Sequence, residues 1–410
     1  MKILILTQYF PPETGAPQNR LFEIALRLKR AGDQVHVLTA MPNYPKMRIF
    51  DNYRGKLFFK EEIEGIKVYR SFIYTSKNRS IIARLLNYFS FVFSSFIYGF
   101  FLRGKYDYLI CESPPLFLGI SALLISKIKN ASLVFNVSDL WPESAEKLGI
   151  ISNKFLLKWS EKLELHFYRK SKIVSGQTQG IIASIKARTD HNHTYWLPNG
   201  VDPEIFNPDN YSGVWRKNMG FNEDDFLLLY AGIIGYAQGL EVILQAAQIL
   251  KGYPKIKFVL IGDGPEKEML LNLKSSLDIS NVFFYSNQEK KDMPDIIKSF
   301  NATIVPLKKI PLFLGAIPSK IFENLAMKVP VILGVEGEAK EIFIDKGKAG
   351  LAFEPENAQD LADKILAFYL NPDLLRNTAE NGRKYVLEYF NRDKIAKDFR
   401  DYLYKVKEEK

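Results

Sequence analysis

Lys320 and Glu323 stand three residues apart in the stretch Gly315-Ala316-Ile317-Pro318-Ser319-Lys320-Ile321-Phe322-Glu323-Asn324-Leu325-Ala326-Met327-Lys328-Val329-Pro330-Val331-Ile332. An ammonium and a carboxylate one helical turn apart can hold the two polar halves of a sugar phosphate. The lysine offers a full positive charge to a phosphate, and the N–H groups of a helix start add a partial one. The carboxylate can accept two hydrogen bonds from the vicinal hydroxyls of a ribose. An ordinary helix start would use the same residues, because Pro and Ser favour its first positions and Glu its first turn. Asp139 is a second group with chemical potential, in Ser138-Asp139-Leu140-Trp141-Pro142-Glu143-Ser144. A carboxylate after a strand and before a Trp-Pro turn is placed to orient a sugar hydroxyl or share a proton, or else to cap a helix.

These groups need a scaffold. Pro318 and Ser319, as first-turn and cap-type residues, predict a helix of about three turns, and the apolar run 329–333 a buried strand. At the other end of the chain, Lys2 to Leu6 reads as a strand and is followed by a turn-rich loop through Gly15. A helix from Asn19 to Arg30 then carries Leu21, Ile24, Ala25 and Leu28 at helical spacing, before a strand from Gln34 to Leu38. The second half repeats the alternation. Phe226 to Tyr230 reads as a strand, followed by Gly232, Gly235 and Gln238-Gly239 and a helix from Glu241 to Leu250. Three glycines between a strand and a helix suit a backbone cradle for a diphosphate. The strands 258–261 and 282–285 end in turns that contain Gly262 and Ser286.

This order predicts an α/β chain of two doubly wound domains, with ligands beyond the carboxyl ends of the strands. Pro198-Asn199-Gly200-Val201-Asp202 has linker chemistry, so the predicted domains are 1–197 and 198–391. A Gly-x-Gly-x-x-Gly fingerprint is missing, which argues against an ordinary dinucleotide enzyme.

At 410 residues and 47% hydrophobic content the chain can bury two cores. Its single cysteine, Cys111, excludes an intramolecular disulfide and a cysteine metal cluster, and fits a reducing compartment. The four histidines lack metal-site spacing, and no metal is expected. The first apolar run is too short for a signal peptide and reads as a strand. Charge is uneven: residues 1–200 carry 28 Lys and Arg against 15 Asp and Glu, whereas residues 201–410 carry 28 against 31. A basic half suits an anionic membrane, an anionic substrate or nucleic acid, or serves solubility alone. Within that half, residues 85–102 lack any charge and are flanked by Arg79, Arg84, Arg103 and Lys105. As a helix this run is about 27 Å long, barely a bilayer's thickness. Asn87, Ser90, Ser94 and Tyr98 share one face of it, so it reads as a helix buried on the sheet or laid in a membrane interface.

The Glu323 helix, the linker and the Asp139 string together resemble glycosyltransferase family 4, the retaining sugar transferases of GT-B fold. The resemblance covers nearly the whole chain. The Asp139 string and the Gly15 loop are similar to a subgroup that includes bacterial N-acetyl-fucosaminyl transferases of surface-polysaccharide assembly. Glu323 takes the second glutamate of the family's paired-glutamate motif; Gly315 stands at the first, and Lys328 replaces a glycine. The Arg and Lys usual near the Gly235 loop are also missing, and Gln238 precedes Gly239 there.

The resemblance implies an active site between the domains and metal-independent transfer from a nucleotide sugar, UDP-linked in expectation, with an N-acetylamino-deoxyhexose as a candidate sugar. It implies a lipid-linked or oligosaccharide acceptor in O-antigen or capsule assembly, and a cytoplasmic enzyme held peripherally at the inner face of the membrane. Nucleic acid is not an expected partner. Catalysis would rest on Asp139, Lys320 and Glu323. The donor would meet Gly15, Asn199, Gly232, Gly235, Gln238, Gly262, Ser286, Pro318 and Ser319, and the acceptor Asn19 and Arg20. A C-terminal helix of 392–410 would return to the first domain. A sugar-nucleotide epimerase of the same fold and a non-catalytic nucleotide or nucleic-acid binder are the alternatives. The epimerase would need further acid and base groups, which are scarce here.

Overall fold

A computed structural model describes residues 1–13, 15–44, 47–76, 78, 80–147 and 153–409. Thr14 of the first loop and Arg79, one of the flanking cations, lie outside the described residues. The chain divides into two compact units, Met1–Pro198 with Asp393–Lys410, and Asn199–Arg392.

The first unit is built on an eight-stranded sheet. Its strands are β1 (Lys2–Leu6), β2 (Gln34–Ala40), β3 (Phe58–Ile63), β4 (Ile66–Ser71), β5 (Tyr108–Ser113), β6 (Ser132–Val137), β7 (Ile173–Gly176) and β8 (Thr194–Trp196), in the order β3-β4-β2-β1-β5-β6-β7-β8. All neighbours are parallel except β3 and β4. Those two form a hairpin closed by Glu64 and Gly65, both at positive φ, the backbone that a tight two-residue turn needs. The helices are α1 (Ala16–Arg30), α2 (Ile81–Phe101), α3 (Leu118–Lys129), α4 (Glu143–Lys147), α5 (Lys154–Lys170) and α6 (Gln179–Arg188).

Because side chains alternate along a strand, β1 serves both faces of the sheet. Ile3 and Ile5 join Leu21, Ala25 and Leu28 of α1. Leu4 and Leu6 point the other way, into a cluster with Phe91 of α2, Ile125 of α3 and Phe167 of α5. Each such fully buried side chain contributes about 1.5–3 kcal/mol. The C-terminal helix Arg392–Glu408 packs Phe399 and Leu403 into the α1 side and is tied there by polar contacts. Tyr108 donates to the Leu403 carbonyl at 2.6 Å, Arg400 pairs with Asp33 at 2.6 Å and Lys407 with Asp107 at 2.7 Å.

The second unit has six strands, β9 (Phe226–Ala231), β10 (Ile256–Ile261), β11 (Val282–Tyr285), β12 (Ala302–Pro306), β13 (Val331–Gly334) and β14 (Gly350–Ala352). Their order is β11-β10-β9-β12-β13-β14, and every neighbouring pair is parallel. The helices are α7 (Trp215–Asn218), α8 (Glu241–Ile249), α9 (Lys267–Ser276), α10 (Met293–Lys298), α11 (Lys320–Ala326), α12 (Ala358–Leu370) and α13 (Pro372–Tyr389). Leu228, Tyr230, Phe258, Leu260 and Ile304 pack against Ile243 and Ala247 of α8 and Leu361 and Ile365 of α12. This is the strand order of a dinucleotide-type doubly wound sheet. The strand order reverses between β9 and β12, and in such sheets that switch point opens the crevice where ligands bind.

Candidate active site

Lys320 and Glu323 come to the switch point of the second unit. α11 follows the loop after β12 and sets Lys320 against the end of β9. The Lys320 ammonium lies 4.0 Å from the centroid of the Tyr230 ring. A Cβ placed on Gly232 would lie 2.9 Å from that nitrogen, and Gly232 has φ +145°, a conformation open to glycine. Tyr230 is itself anchored, its hydroxyl donating to the Ile233 carbonyl at 2.5 Å. Burial pushes the Lys320 pKa down to about 7, with the nearby Glu323 carboxylate opposing the fall. Burial also raises the Glu323 pKa, against the positive fields of Lys290, Arg392 and Lys320. The site therefore holds a half-buried ammonium whose charge is incompletely balanced, a condition that favours an arriving phosphate.

Neighbouring loops fix this geometry. Ile234 N–H donates to the Asp263 carbonyl at 2.9 Å and Gly262 N–H to the Tyr285 carbonyl at 3.0 Å, which stitches the ends of β9, β10 and β11. A Cβ on Gly262 would fall 1.9 Å from the Gly232 carbonyl oxygen, so only glycine allows the β9 and β10 loops to meet there. Lys308 N–H donates to the Ala237 carbonyl at 3.0 Å, and its ammonium covers the Tyr236 ring at 3.7 Å. An apolar cavity of about 220 Å³ lies in the same region after β12, lined by Leu307, Ile310, Phe313, Leu314 and Val335 among others.

Three sequence expectations change here. The helix predicted at about three turns is the seven-residue α11, because the chain turns left-handed at Lys328, with φ +58°, where glycine is favoured. Lys328 and Val329 N–H groups close that end on the carbonyls of Leu325 and Asn324. Ser319 does not cap the helix: its backbone is already helical, φ −61° and ψ −24°, whereas a capping side chain needs extended backbone. The turn begins instead at Pro318, whose carbonyl accepts from Ile321 N–H at 3.1 Å. The glycine cradle is also partly closed. Gly232 N–H donates to the Ile261 carbonyl at 2.9 Å and Gly239 N–H to the Tyr236 carbonyl at 3.3 Å, so Gly232 serves by admitting Lys320 and not as a donor.

In the first unit the carboxyl ends of β5, β6 and β7 carry a buried polar network. Arg20, from α1, donates to Glu112 at 2.5 Å, to the Ser138 hydroxyl at 2.5 Å and to Gln177 at 3.3 Å. Asn136 and Ser138 bond the same Glu112 carboxylate, and Ser175 donates to Asn136 at 2.7 Å. Arg20 was expected to meet the acceptor. Its guanidinium is 4% exposed and neutralised by Glu112, so it positions the loop. Asn19 is half-buried on the next position of α1. Gly15 precedes α1 in extended backbone, and the buried Gln18 Oε1 beside it lacks a hydrogen-bond partner among the described residues.

Asp139 lies open on one side and accepts from the Ser144 hydroxyl. Surrounding protein raises its pKa, the bonds from Ser144 and the Leu140 N–H oppose that, and Glu143 adds to it. The cap-like bond and an open edge coexist, so one oxygen can serve structure while the carboxylate still meets solvent.

The remaining residues scatter. Gln238 ends a 3₁₀ turn 236–238, with its N–H on the Gly235 carbonyl at 3.1 Å. Ser286 is exposed beyond the edge strand β11, and β10 separates that strand from β9. Asn199 is buried at the first position of the second unit, and among the described residues no hydrogen bond links it to the Lys320 group. Sequence reasoning missed Tyr230, Lys308 and Glu112. A tyrosine near the end of an otherwise wholly apolar buried strand was the available signal for the first.

With this geometry in place, likeness to known proteins is informative. Residues 213–385, the body of the second unit, match the family Glycosyl transferases group 1. The chain is 25% identical over 410 residues to the protein described as colanic acid biosynthesis glycosyl transferase WcaI of Escherichia coli K12, covering 97% of this chain and 98% of that one. In fold it matches sucrose-phosphate synthase from Thermosynechococcus elongatus, with TM-score 0.77, 16% identity and 98% of both chains covered. It also matches Anabaena HepE in complex with UDP and glucose, with TM-score 0.73, 17% identity, and 99% and 100% of the two chains covered. Two Rossmann-like units in one chain, the second matched over residues 213–385 by the group 1 model, define the class: the molecule is a glycosyltransferase of GT-B fold.

Proposed function

We propose that this glycosyltransferase moves a sugar from a UDP-linked donor, with retention of anomeric configuration, to a lipid-linked or oligosaccharide acceptor in bacterial surface-polysaccharide assembly. The observation that carries the proposal is the Lys320 ammonium held over Tyr230 and Gly232 at the switch point of a group 1 domain. A diphosphate supplies the counter-charge that burial denies Lys320. Glu323, one turn on, accepts from the ribose hydroxyls. Ser319 and Gly235 contribute a hydroxyl and a close backbone approach, and Gly262 keeps the loops together. Asn199, Gln238, Ser286 and Pro318 are the other residues of the second unit assigned to the donor. The neighbouring apolar cavity suits the methyl group of a deoxy or acetamido sugar. UDP is favoured by the HepE complex, and a role in polysaccharide assembly by the name of WcaI.

Transfer proceeds without a metal. Lys320 stabilises charge on the leaving diphosphate, and a donor phosphate oxygen takes the acceptor's proton as the new glycosidic bond forms, so positioning and charge supply the rate. Asp139 orients a hydroxyl, with Asn19 beside the acceptor and Arg20 behind it. The enzyme works at the inner face of the cell membrane, as a peripheral protein, without a nucleic-acid partner.

Thermal shift with UDP, GDP and their sugar conjugates tests this. A ligand at a hundred times its dissociation constant adds about 2.7 kcal/mol of stability. One nucleotide should stabilise the natural chain and leave Glu323→Ala unshifted; equal shifts in both chains would remove Glu323 from the donor site.

A further inference from the structure

α2 has its polarity inside out. Its polar residues face the protein: Asn87 donates to the Tyr74 carbonyl at 2.6 Å and accepts from Gln8 at 3.0 Å, Ser94 bonds Ser71 and the Phe72 carbonyl, and Ser95 meets Ser121 at 3.0 Å. Phe91 enters the core, but several large apolar side chains of the same helix face outward. Ile82, Leu86, Phe89, Phe93 and Phe100 recur at helical spacing along one exposed stripe; Phe93 is 67% exposed, and Phe101 beside the stripe 71%. Helices on water present the opposite pattern, so this face is shaped for an apolar neighbour.

The stripe continues onto α3 through exposed Leu124 and Ile128, across a groove of about 380 Å³ lined by Phe89, Val92, Phe93, Phe96, Ile120 and Leu124 among others. Charge complements it. Neither α2 nor α3 contains an acidic residue, while Arg84, Arg103, Lys105 and Lys127 are exposed on these helices and the turn after α2. The last carbonyls of α2 are covered too: the Lys129 ammonium donates to Phe100 O at 2.9 Å and to Leu102 O, so that helix end carries fewer open acceptors. No described helix is long and apolar enough to cross a membrane.

We propose that the α2–α3 face docks on the surface of an anionic phospholipid bilayer, with the phenylalanines of α2 among the acyl chains and the arginines and lysines against the headgroups. This rests on the peripheral location proposed above and names the surface responsible. An apolar stripe rimmed by cations is the pattern of a helix lying in the interface plane. Each cation near such a surface strengthens binding about fivefold, and each buried phenylalanine by about tenfold or more.

The test is flotation of the full chain with vesicles of phosphatidylcholine alone, or with 30 mole per cent phosphatidylglycerol. The natural chain should float with the anionic vesicles and much less with the neutral ones. Phe93→Ser with Phe101→Ser should weaken anionic binding at least about a hundredfold, and Arg103→Ala with Lys127→Ala about 25-fold. These side chains are exposed, and unchanged melting of the variants would exclude misfolding. Absence of flotation, or flotation that ignores both pairs of substitutions, overturns the proposal. So does a dimer in gel filtration that the Phe substitutions dissociate while vesicles stay unbound. UDP-induced thermal shift, measured without vesicles on the same samples, reports the donor site separately, so either reading can fail without the other.

Discussion

Lys320→Met should make the second unit more stable while removing donor binding. Methionine fills the same volume against Tyr230 without a charge. The folded pKa of Lys320 is about 7 against an ordinary 10.5, and each unit corresponds to about 1.36 kcal/mol, so the ceiling on the cost of burying the ammonium is about 5 kcal/mol. Relaxation and water reaching a half-buried group reduce this to the order of 2 kcal/mol. The sign follows from the direction of the shift. Below pH 7 both folded and unfolded chains hold the proton and the full cost is present. Between about 7 and 10.5 only the unfolded chain holds it, so the cost fades as pH rises. Scanning calorimetry of both chains at pH 6 and pH 9.5 is the assay. For a unit of this size 2 kcal/mol is about 4–8 °C, so the variant should melt that much higher at pH 6 and by clearly less at pH 9.5. A variant that melts lower at both values, or by the same margin at both, would show that Lys320 is an ordinary solvated lysine.

The same titration should appear in binding. A UDP-sugar, whose phosphates do not titrate near neutrality, should lose affinity as pH rises above about 7, by up to about tenfold per unit, because it binds the protonated lysine; calorimetric titration giving a flat profile from pH 6.5 to 8.5 would contradict the assignment. Glu112→Gln leaves the Arg20 charge buried without a counter-ion and should cost about 3–5 kcal/mol, and pairing it with Arg20→Met should restore most of the melting temperature. Gly262→Ala forces a Cβ against the Gly232 carbonyl and should cost about 1–3 kcal/mol and weaken UDP-induced stabilisation; an unaltered melting curve would mean that the loops part freely.

Much of the scaffold was legible from local pattern. β1, α1 and β2 carry apolar residues at the periods of strand and helix, and the strand-glycine-helix order around β9 and α8 announced a doubly wound unit. The β3–β4 hairpin was not legible, because β3 buries none of its residues and its Lys60, Glu61 and Glu62 read as polar surface. At the site, Lys320 and Glu323 declared themselves by type and spacing, whereas Tyr230 and Gly232 lie about ninety residues earlier and meet Lys320 only because β9 and β12 are neighbours.

Sequence by itself determined where charge and apolar surface are available, which segments alternate, and which residues own the chemistry, since these depend on near neighbours along the chain. Tertiary structure decided the rest. It turned the serines and Asn87 of α2 inward, where backbone carbonyls and neighbouring side chains satisfy them, and left phenylalanines facing out. It neutralised Arg20 with Glu112 and lowered the pKa of Lys320 by burial. Direction of a face and the environment of a charge are set by contacts between residues distant in sequence, so no periodicity along the chain carries them.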